Sequence, residues 1–186
     1  DFKKIPGSPI AYWVSDDIRD GFERGTPFKS VGNPRVGMQT SNNAKYLRLW
    51  HEVDYGEFVR SSGEERPKWI KYLKGGPFRR WYGNLEYLLR YNRSRDYILQ
   101  QKNATVLPIS RLSDPKCTWT DLTSGKFNCR YAPKDTFHDI SGHCFYPSES
   151  DQYLLLGFAN TNQFASFMSI VNSSFHFQVG DVARMP

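Results

Sequence analysis

Gly37 to Val53 reads GMQTSNNAKYLRLWHEV, and Lys68 to Tyr87 reads KWIKYLKGGPFRRWYGNLEY. The first run sets a polar, amide-rich turn, Thr40-Ser41-Asn42-Asn43, between two predicted strands, Arg35 to Met38 and Lys45 to Val53. The second reads as a loop hinged at Gly75-Gly76. Its cations Lys68, Lys71, Lys74, Arg79 and Arg80 stand among Trp69, Tyr72, Phe78, Trp81 and Tyr82. At least one of Trp81 and Tyr82 is expected in the core, since a large aromatic side chain has most to gain from burial.

Outward from this centre, Ser15 is placed to cap a helix whose first turn holds Asp16 and Asp17, and Gly25-Thr26-Pro27 stops it. Ile10 to Val14 suits a short strand or extended lead-in. Asp54 to Pro67 is charged and glycine-containing, as a loop or turn would be. Glu86 to Tyr91, Thr105 to Ile109, Cys117 to Leu122, Phe127 to Ala132 and Phe137 to Tyr146 read as further strands. Asn92 to Asn103 reads as a polar helix or loop. From Gln152 to Val171 the apolar residues Leu155, Phe158, Phe164, Phe167, Met168 and Val171 recur at near-helical spacing, broken at Asn160-Thr161-Asn162. That predicts a helix, a turn and a second helix, with a helical part at about 151–172. Phe175, Phe177 and Val179 alternate with polar residues as in a half-buried strand. The fold class expected is α+β, with a β-rich centre and helices near both ends.

The chain has 186 residues and a net charge of +6, enough length for one domain with a real core and a balance that favours an acidic partner. Aromatic residues make up 16%, which argues for folded structure over disorder. The longest apolar run, Tyr153 to Ala159, is far short of a bilayer span, so no membrane role is expected. Cys117, Cys129 and Cys144 are odd in number and contain no CxxC pair, which suits a reducing, cytoplasmic compartment. The start at Asp1 and the end at Pro186 read as cuts, so residues 1–186 are expected to be a single domain taken from a longer protein.

Cations interleaved with flat rings suit a nucleic-acid backbone and its bases. On that reading Lys45, Lys68, Lys71, Lys74, Arg79 and Arg80 are the phosphate candidates, and Trp81 and Tyr82 the stacking candidates. Gln39, Thr40, Asn42 and Asn43 are the candidates for base edges, because an amide pairs with the edge of adenine. The bland readings stand beside these: a charge run is usually a solvated face, and turn amides usually serve local backbone. His138, Asp139, His143 and Cys144 raise a metal or nuclease-like alternative, but Cys117 and Cys129 lie singly and far off, so no metal and no catalytic residue is assigned. A protein-docking module and a single-strand binder remain as further alternatives.

KIPGSPIAYWVS, GMQTSNNAKYLRLWHEV, KWIKYLKGGPFRRWYGN, HDISGHCFYP, YLLLGFANTNQFASFM and FQVGDVARMP occur in an order that resembles the PglX family, the adenine-specific DNA methyltransferases of the BREX phage-defence system. The similarity covers nearly the whole chain and lies in the segment after the methyltransferase core, similar to a TaqI-like specificity domain. It implies a double-stranded DNA reader joined to an upstream methyltransferase domain that uses S-adenosylmethionine, with other defence-system subunits as further partners. No cofactor is expected in this stretch itself. Asn33-Pro34 is followed by Arg35 and Val36, not by the family's catalytic Asn-Pro-Pro-Tyr pattern, and no Gly-rich cofactor loop follows a strand. Where the family reads Gln-Thr-Gly-Asp-Asn, this chain has Gln39-Thr40-Ser41-Asn42-Asn43, so a glycine and an acidic charge are missing from the turn. Asn42 is the residue there expected to tolerate left-handed backbone.

Overall fold

The Ser15 hydroxyl accepts a hydrogen bond from the Ile18 amide at 3.4 Å and begins helix α1 (Asp16–Arg24), which ends at Gly25 as the sequence predicts. The computed structural model describes residues 5–7, 9, 12–57, 68–91 and 94–186. After α1 come α2 (Phe28–Gly32), β1 (Pro34–Arg35), α3 (Asn43–Tyr46), β2 (Leu47–Leu49), β3 (Trp69–Leu73), β4 (Tyr87–Arg90) and α4 (Arg95–Leu99). Then follow β5 (Lys116–Trp119), β6 (Cys129–Ala132), β7 (Thr136–His138), β8 (Cys144–Phe145), α5 (Gln152–Ala159), α6 (Asn162–Val171) and α7 (Val179–Ala183). The class is α+β, with two four-stranded sheets and helices towards both ends.

One sheet runs β1-β8-β5-β6 and is antiparallel throughout. The other runs β2-β4-β3-β7, antiparallel except for the parallel pair β3–β7. Consecutive strands β7 and β8 therefore lie in different sheets, and Asp139 to His143 carries the chain from one to the other. The single strand predicted over Phe137 to Tyr146 is thus two short strands with a turn between them.

Helices pack on the first sheet around Phe28, Trp119, Phe145, Phe164, Phe167 and Met168, with Phe28 and Phe145 meeting edge to face at 4.9 Å. The helical pair forms as expected, and the Thr161 hydroxyl caps α6 by accepting from the Phe164 amide at 3.1 Å. A second core around Met38, Tyr46, Ile70, Tyr72, Leu89 and Phe137 belongs to the other sheet. Leu73, Ala132 and Cys144 pack together where the sheets meet. Each fully buried side chain of this size contributes about 1.5–3 kcal/mol.

Several sequence expectations change. Trp69–Leu73, read as part of a loop, is the strand between β4 and β7. Four of its five residues are buried, so it shows no period-2 alternation that would announce it. The strand expected over Lys45 to Val53 shrinks to Leu47–Leu49, because Asn42 starts a helical turn before it and a 3-10 turn, Trp50–Glu52, follows it. Arg35 to Met38 pairs only at its ends, as β1 and as a bridge from Met38 to Asp139. Thr105 makes one bridge, to Gln39, before Pro108 begins a 3-10 turn, and the alternating 175–179 stretch makes one bridge, at His176, before α7. Ile10 and Ala11 of the lead-in, 58–67 of the charged segment, and Asn92 and Arg93 lie outside the described residues. Helix α4 occupies the next stretch of the polar region.

Candidate nucleic-acid interface

The parallel pair β3–β7 ends at the junction of the sheets, where the Asp139 amide donates to the Leu73 carbonyl at 2.8 Å. Met38 joins there, its amide donating to the His138 carbonyl at 2.8 Å and its carbonyl accepting from the Ile140 amide at 3.1 Å. A cleft of about 390 Å³ opens at this point, lined by Gln39, Ser41, Asn43, Lys74, Asp139, Ile140 and Ser141. The two stretches that stand out in the sequence thus meet: the amide-rich turn forms one wall and the residue after β3 the other.

Gln39 is held by its backbone, with its amide donating to the Thr105 carbonyl at 3.0 Å and its carbonyl accepting from the Thr105 amide at 2.9 Å. Its side-chain amide has no hydrogen-bond partner among the described residues, which leaves both a donor and an acceptor free. Thr40 is buried, and its hydroxyl donates to Asn43 Oδ1 at 2.6 Å. Asn43 therefore presents its amide N–H groups. Asn42 Oδ1 accepts from the Lys45 amide at 3.1 Å and caps α3. Replacing Asn42 by Ala is expected to cost about 1 kcal/mol in urea denaturation, while Asn42→Asp keeps the acceptor and most of the stability.

Ser41, in place of the family's glycine, takes φ +55°, and Asn42 takes an extended −152°. The left-handed residue is thus Ser41, not Asn42. The Ser41 hydroxyl donates to the Lys102 carbonyl at 2.8 Å, which ties the turn down without a glycine.

On the opposite wall Asp139 is buried and fully engaged. Its oxygens lie 2.8 Å from the Tyr72 hydroxyl, 2.9 Å from the Ser141 amide, 2.6 Å from the Ser141 hydroxyl and 3.8 Å from Lys74 Nζ. Burial, and then the neighbouring Asp139 carboxylate, pushes the Tyr72 phenol well above its ordinary value, so Tyr72 stays a donor. With three closer donors on Asp139, Lys74 is a loosely held cation at the mouth of the cleft.

The remaining candidates divide. Lys68 pairs with Glu57, which also accepts from the Trp69 indole at 3.2 Å, so its charge is offset locally. Lys71 is exposed on β3 away from the cleft lining, and Lys45 lies over the Tyr46 ring at 5.2 Å. Arg79 and Arg80 are exposed and have no ion-pair partner among the described residues. Trp81 and Tyr82 are 55% and 57% exposed, so neither is a core residue; Trp69 and Trp119 fill that role. The backbone of Trp81 pairs with β6, the end strand of the first sheet.

The residues of the metal alternative have other partners. The His138 ring accepts from the Tyr146 hydroxyl at 2.7 Å through Nε2 and donates to the Gly142 carbonyl at 3.2 Å through Nδ1. Burial lowers its pKa to about 3. His143 Nε2 lies 3.5 Å from Asp121, and Cys144 is buried, its thiol pushed up to about 12 by desolvation. Among the described residues no group of three or more His, Cys, Asp or Glu side chains is placed to hold a metal ion. Within the same residues no helix is long and apolar enough to cross a membrane. Asp139, Ile140 and Ser141 line the cleft although the binding reading of the sequence missed them; their distance along the chain from Lys74 hides the contact.

The fold and cleft define a two-sheet α+β module with an amide-and-lysine cleft at the sheet junction. Its relatives are methyltransferases. The chain is 32% identical over 198 aligned positions to the adenine-specific methyltransferase PglX of Lacticaseibacillus casei (strain Zhang), covering all of this chain and 16% of that protein. It is 32% identical over 192 positions to the adenine-specific methyltransferase BrxX of Escherichia coli O9:H4 (strain HS), covering all of this chain and 15% of that protein. No family model matches. The chain is a relative of a segment of the PglX and BrxX adenine-specific methyltransferases, and it spans about one-sixth of the length of the curated relatives it matches.

Proposed function

We propose that this chain is the target-recognition domain of an adenine-N6 DNA methyltransferase of phage defence, a TaqI-like specificity domain acting in the cytoplasm on double-stranded DNA. The carrying observation is the convergence of Gln39, Asn43 and Lys74 on one cleft, from parts of the sequence more than thirty residues apart. The whole-length similarity to adenine-specific methyltransferases supports it. Residues 1–186 serve as one recognition unit; the partner domain of the longer protein supplies S-adenosylmethionine and the chemistry, and other defence subunits complete the assembly.

In this reading Arg79 and Arg80, with Lys74, hold phosphates and set the register on the duplex. Lys45, Lys68 and Lys71 add positive field around them. Gln39 is the principal base reader, because it alone of the amides keeps both donor and acceptor free for the bidentate pattern of adenine in the major groove. Asn43 adds a donor, Thr40 orients Asn43, and Asn42 shapes the turn.

Fluorescence anisotropy with labelled duplex across a salt series tests this. Arg79→Ala is expected to weaken binding to all sequences alike and to reduce the salt slope by about one. Gln39→Glu replaces the donor by a second acceptor and is expected to shift preference away from adenine by about 1–3 kcal/mol at one position. Indifference of the full-length protein to duplex at low salt, with both variants matching wild type, would remove the proposal and leave the aromatic surface as a protein-docking face.

A further inference from the structure

Between Gly75 and Asn84 the backbone enters the left-handed region at Gly75, Gly76, Trp81, Gly83 and Asn84, with φ of 69, 110, 74, 126 and 58°. Glycine takes these angles freely, and asparagine more readily than most residues. Trp81 does not, and a bulky side chain there must be imposed by its surroundings. The imposing contacts are backbone ones. The Trp81 amide donates to the Cys129 carbonyl at 3.3 Å, and the Trp81 carbonyl accepts from the Tyr131 amide at 2.8 Å, pinning the residue to the free edge of β6. Asn84 Nδ2 closes the loop on the Pro77 carbonyl at 3.0 Å. Glycine would satisfy every one of these contacts at lower cost, and more than half of the Trp81 surface faces outward. The residue is not among the buried core side chains.

Cations flank it. The Arg79 side chain crosses Gly83 so closely that a Cβ there would lie 2.7 Å from Arg79 Cδ, and Arg80 lies over the Phe78 ring at 5.6 Å. An exposed flat ring on a backbone held to β6, directly after two arginines with no ion-pair partner among the described residues, matches a base step beside phosphates.

We infer that Trp81 is a wedge, its indole entering a base step of duplex DNA and partly unstacking it while Arg79 and Arg80 hold the neighbouring phosphates. This rests on the duplex-recognition reading. Unstacking is costly and is offset by stacking on the indole and by the phosphate contacts that a kinked duplex can reach. The mount must be stiff for that exchange, and the double backbone pairing to β6 makes it so.

The test uses the full-length protein and a duplex selected for binding, with 2-aminopurine placed at successive steps and dyes at the two ends. Wild type is expected to brighten one step and shorten the end-to-end distance. Trp81→Gly relieves the backbone angle, so its urea midpoint is expected at or above wild type. Its brightening and bend should vanish, with affinity falling about tenfold and the salt slope retained. Trp81→Asn, which tolerates the same φ, is the companion variant and should behave alike. Wild-type brightening in either variant, or a bound duplex with no brightened step, overturns the wedge and leaves the recognition reading standing. No duplex binding by wild type at low salt removes both.

Discussion

Gly75→Ala is expected to destabilise the fold by about 3 kcal/mol and, on the proposed function, to abolish duplex binding. Two costs coincide at this position. The residue sits at φ +69°, where an L side chain is strained, and an added Cβ would stand 2.4 Å from the Ser141 carbonyl oxygen and 3.2 Å from Thr120 Cγ2. That oxygen is held in place, because it accepts from the Asp121 amide at 3.1 Å and belongs to the residue whose amide and hydroxyl both bond Asp139. The crowding is mutual, since a Cβ on Gly142 would lie 2.6 Å from the Gly75 amide nitrogen. The two sheets meet by backbone at this point, and the meeting aims Lys74 at the cleft. Gly157→Ala in α5 is the control: nothing lies within 4 Å of its added Cβ, and alanine in a helix interior should stabilise by about 0.5–1 kcal/mol. Urea denaturation reads both. A Gly75→Ala protein as stable as the control would show that the close approach is dispensable.

Acid is the second large effect. His138 is fully buried and neutral, with a pKa lowered from 6.5 to about 3, chiefly by desolvation. The sign follows from proton counting: between pH 6.5 and 3 the unfolded chain binds a proton on this ring that the folded chain refuses. Stability is therefore intact above pH 6.5 and falls as pH drops, by up to about 1.4 kcal/mol per unit. His143, also lowered by burial, acts in the same direction. Between pH 6.5 and 5, above the range in which carboxylates ordinarily titrate, His138 alone should remove about 2 kcal/mol. His138→Gln is expected to flatten most of that slope, at the cost of one ring hydrogen bond at neutral pH. Urea midpoints at pH 7, 6 and 5 check it, and equal slopes in wild type and variant would sink the assignment.

Both effects fall at the sheet junction, which is where sequence reading had least to work with. Local rules located α1, because Ser15, Asp16, Asp17 and Gly25 act within a few residues of one another. They located the α5–α6 pair as well, through apolar spacing and the break at Asn160-Thr161-Asn162. They failed at β3, where burial on both faces removes alternation and the lysines of KWIKYLK read as loop cations. They failed again at 105–109 and 175–179, where strand-like composition meets no partner beyond a single bridge. The core expectation for Trp81 or Tyr82 failed for a related reason: hydrophobicity is a property of the side chain, but which aromatics fill the cores depends on long-range strand pairing that composition does not carry.

Of the site, the residue types were legible and their assembly was not. The amide-rich turn, the glycine hinge and the free cations stand in the sequence, because capping, left-handed φ and charge are local properties. Which amide is free had to come from the structure: Asn42 serves a helix, Asn43 is half engaged by Thr40, and Gln39 is left open. That Lys74 faces Gln39 across one cleft, and that Asp139 and Ser141 complete it, depends on β7 and β8 dividing between two sheets. Strand pairing is a long-range choice made by the burial of whole faces, so α+β class and local helix boundaries belong to the sequence alone, while the cleft exists only once the two sheets have closed on Gly75 and Gly142.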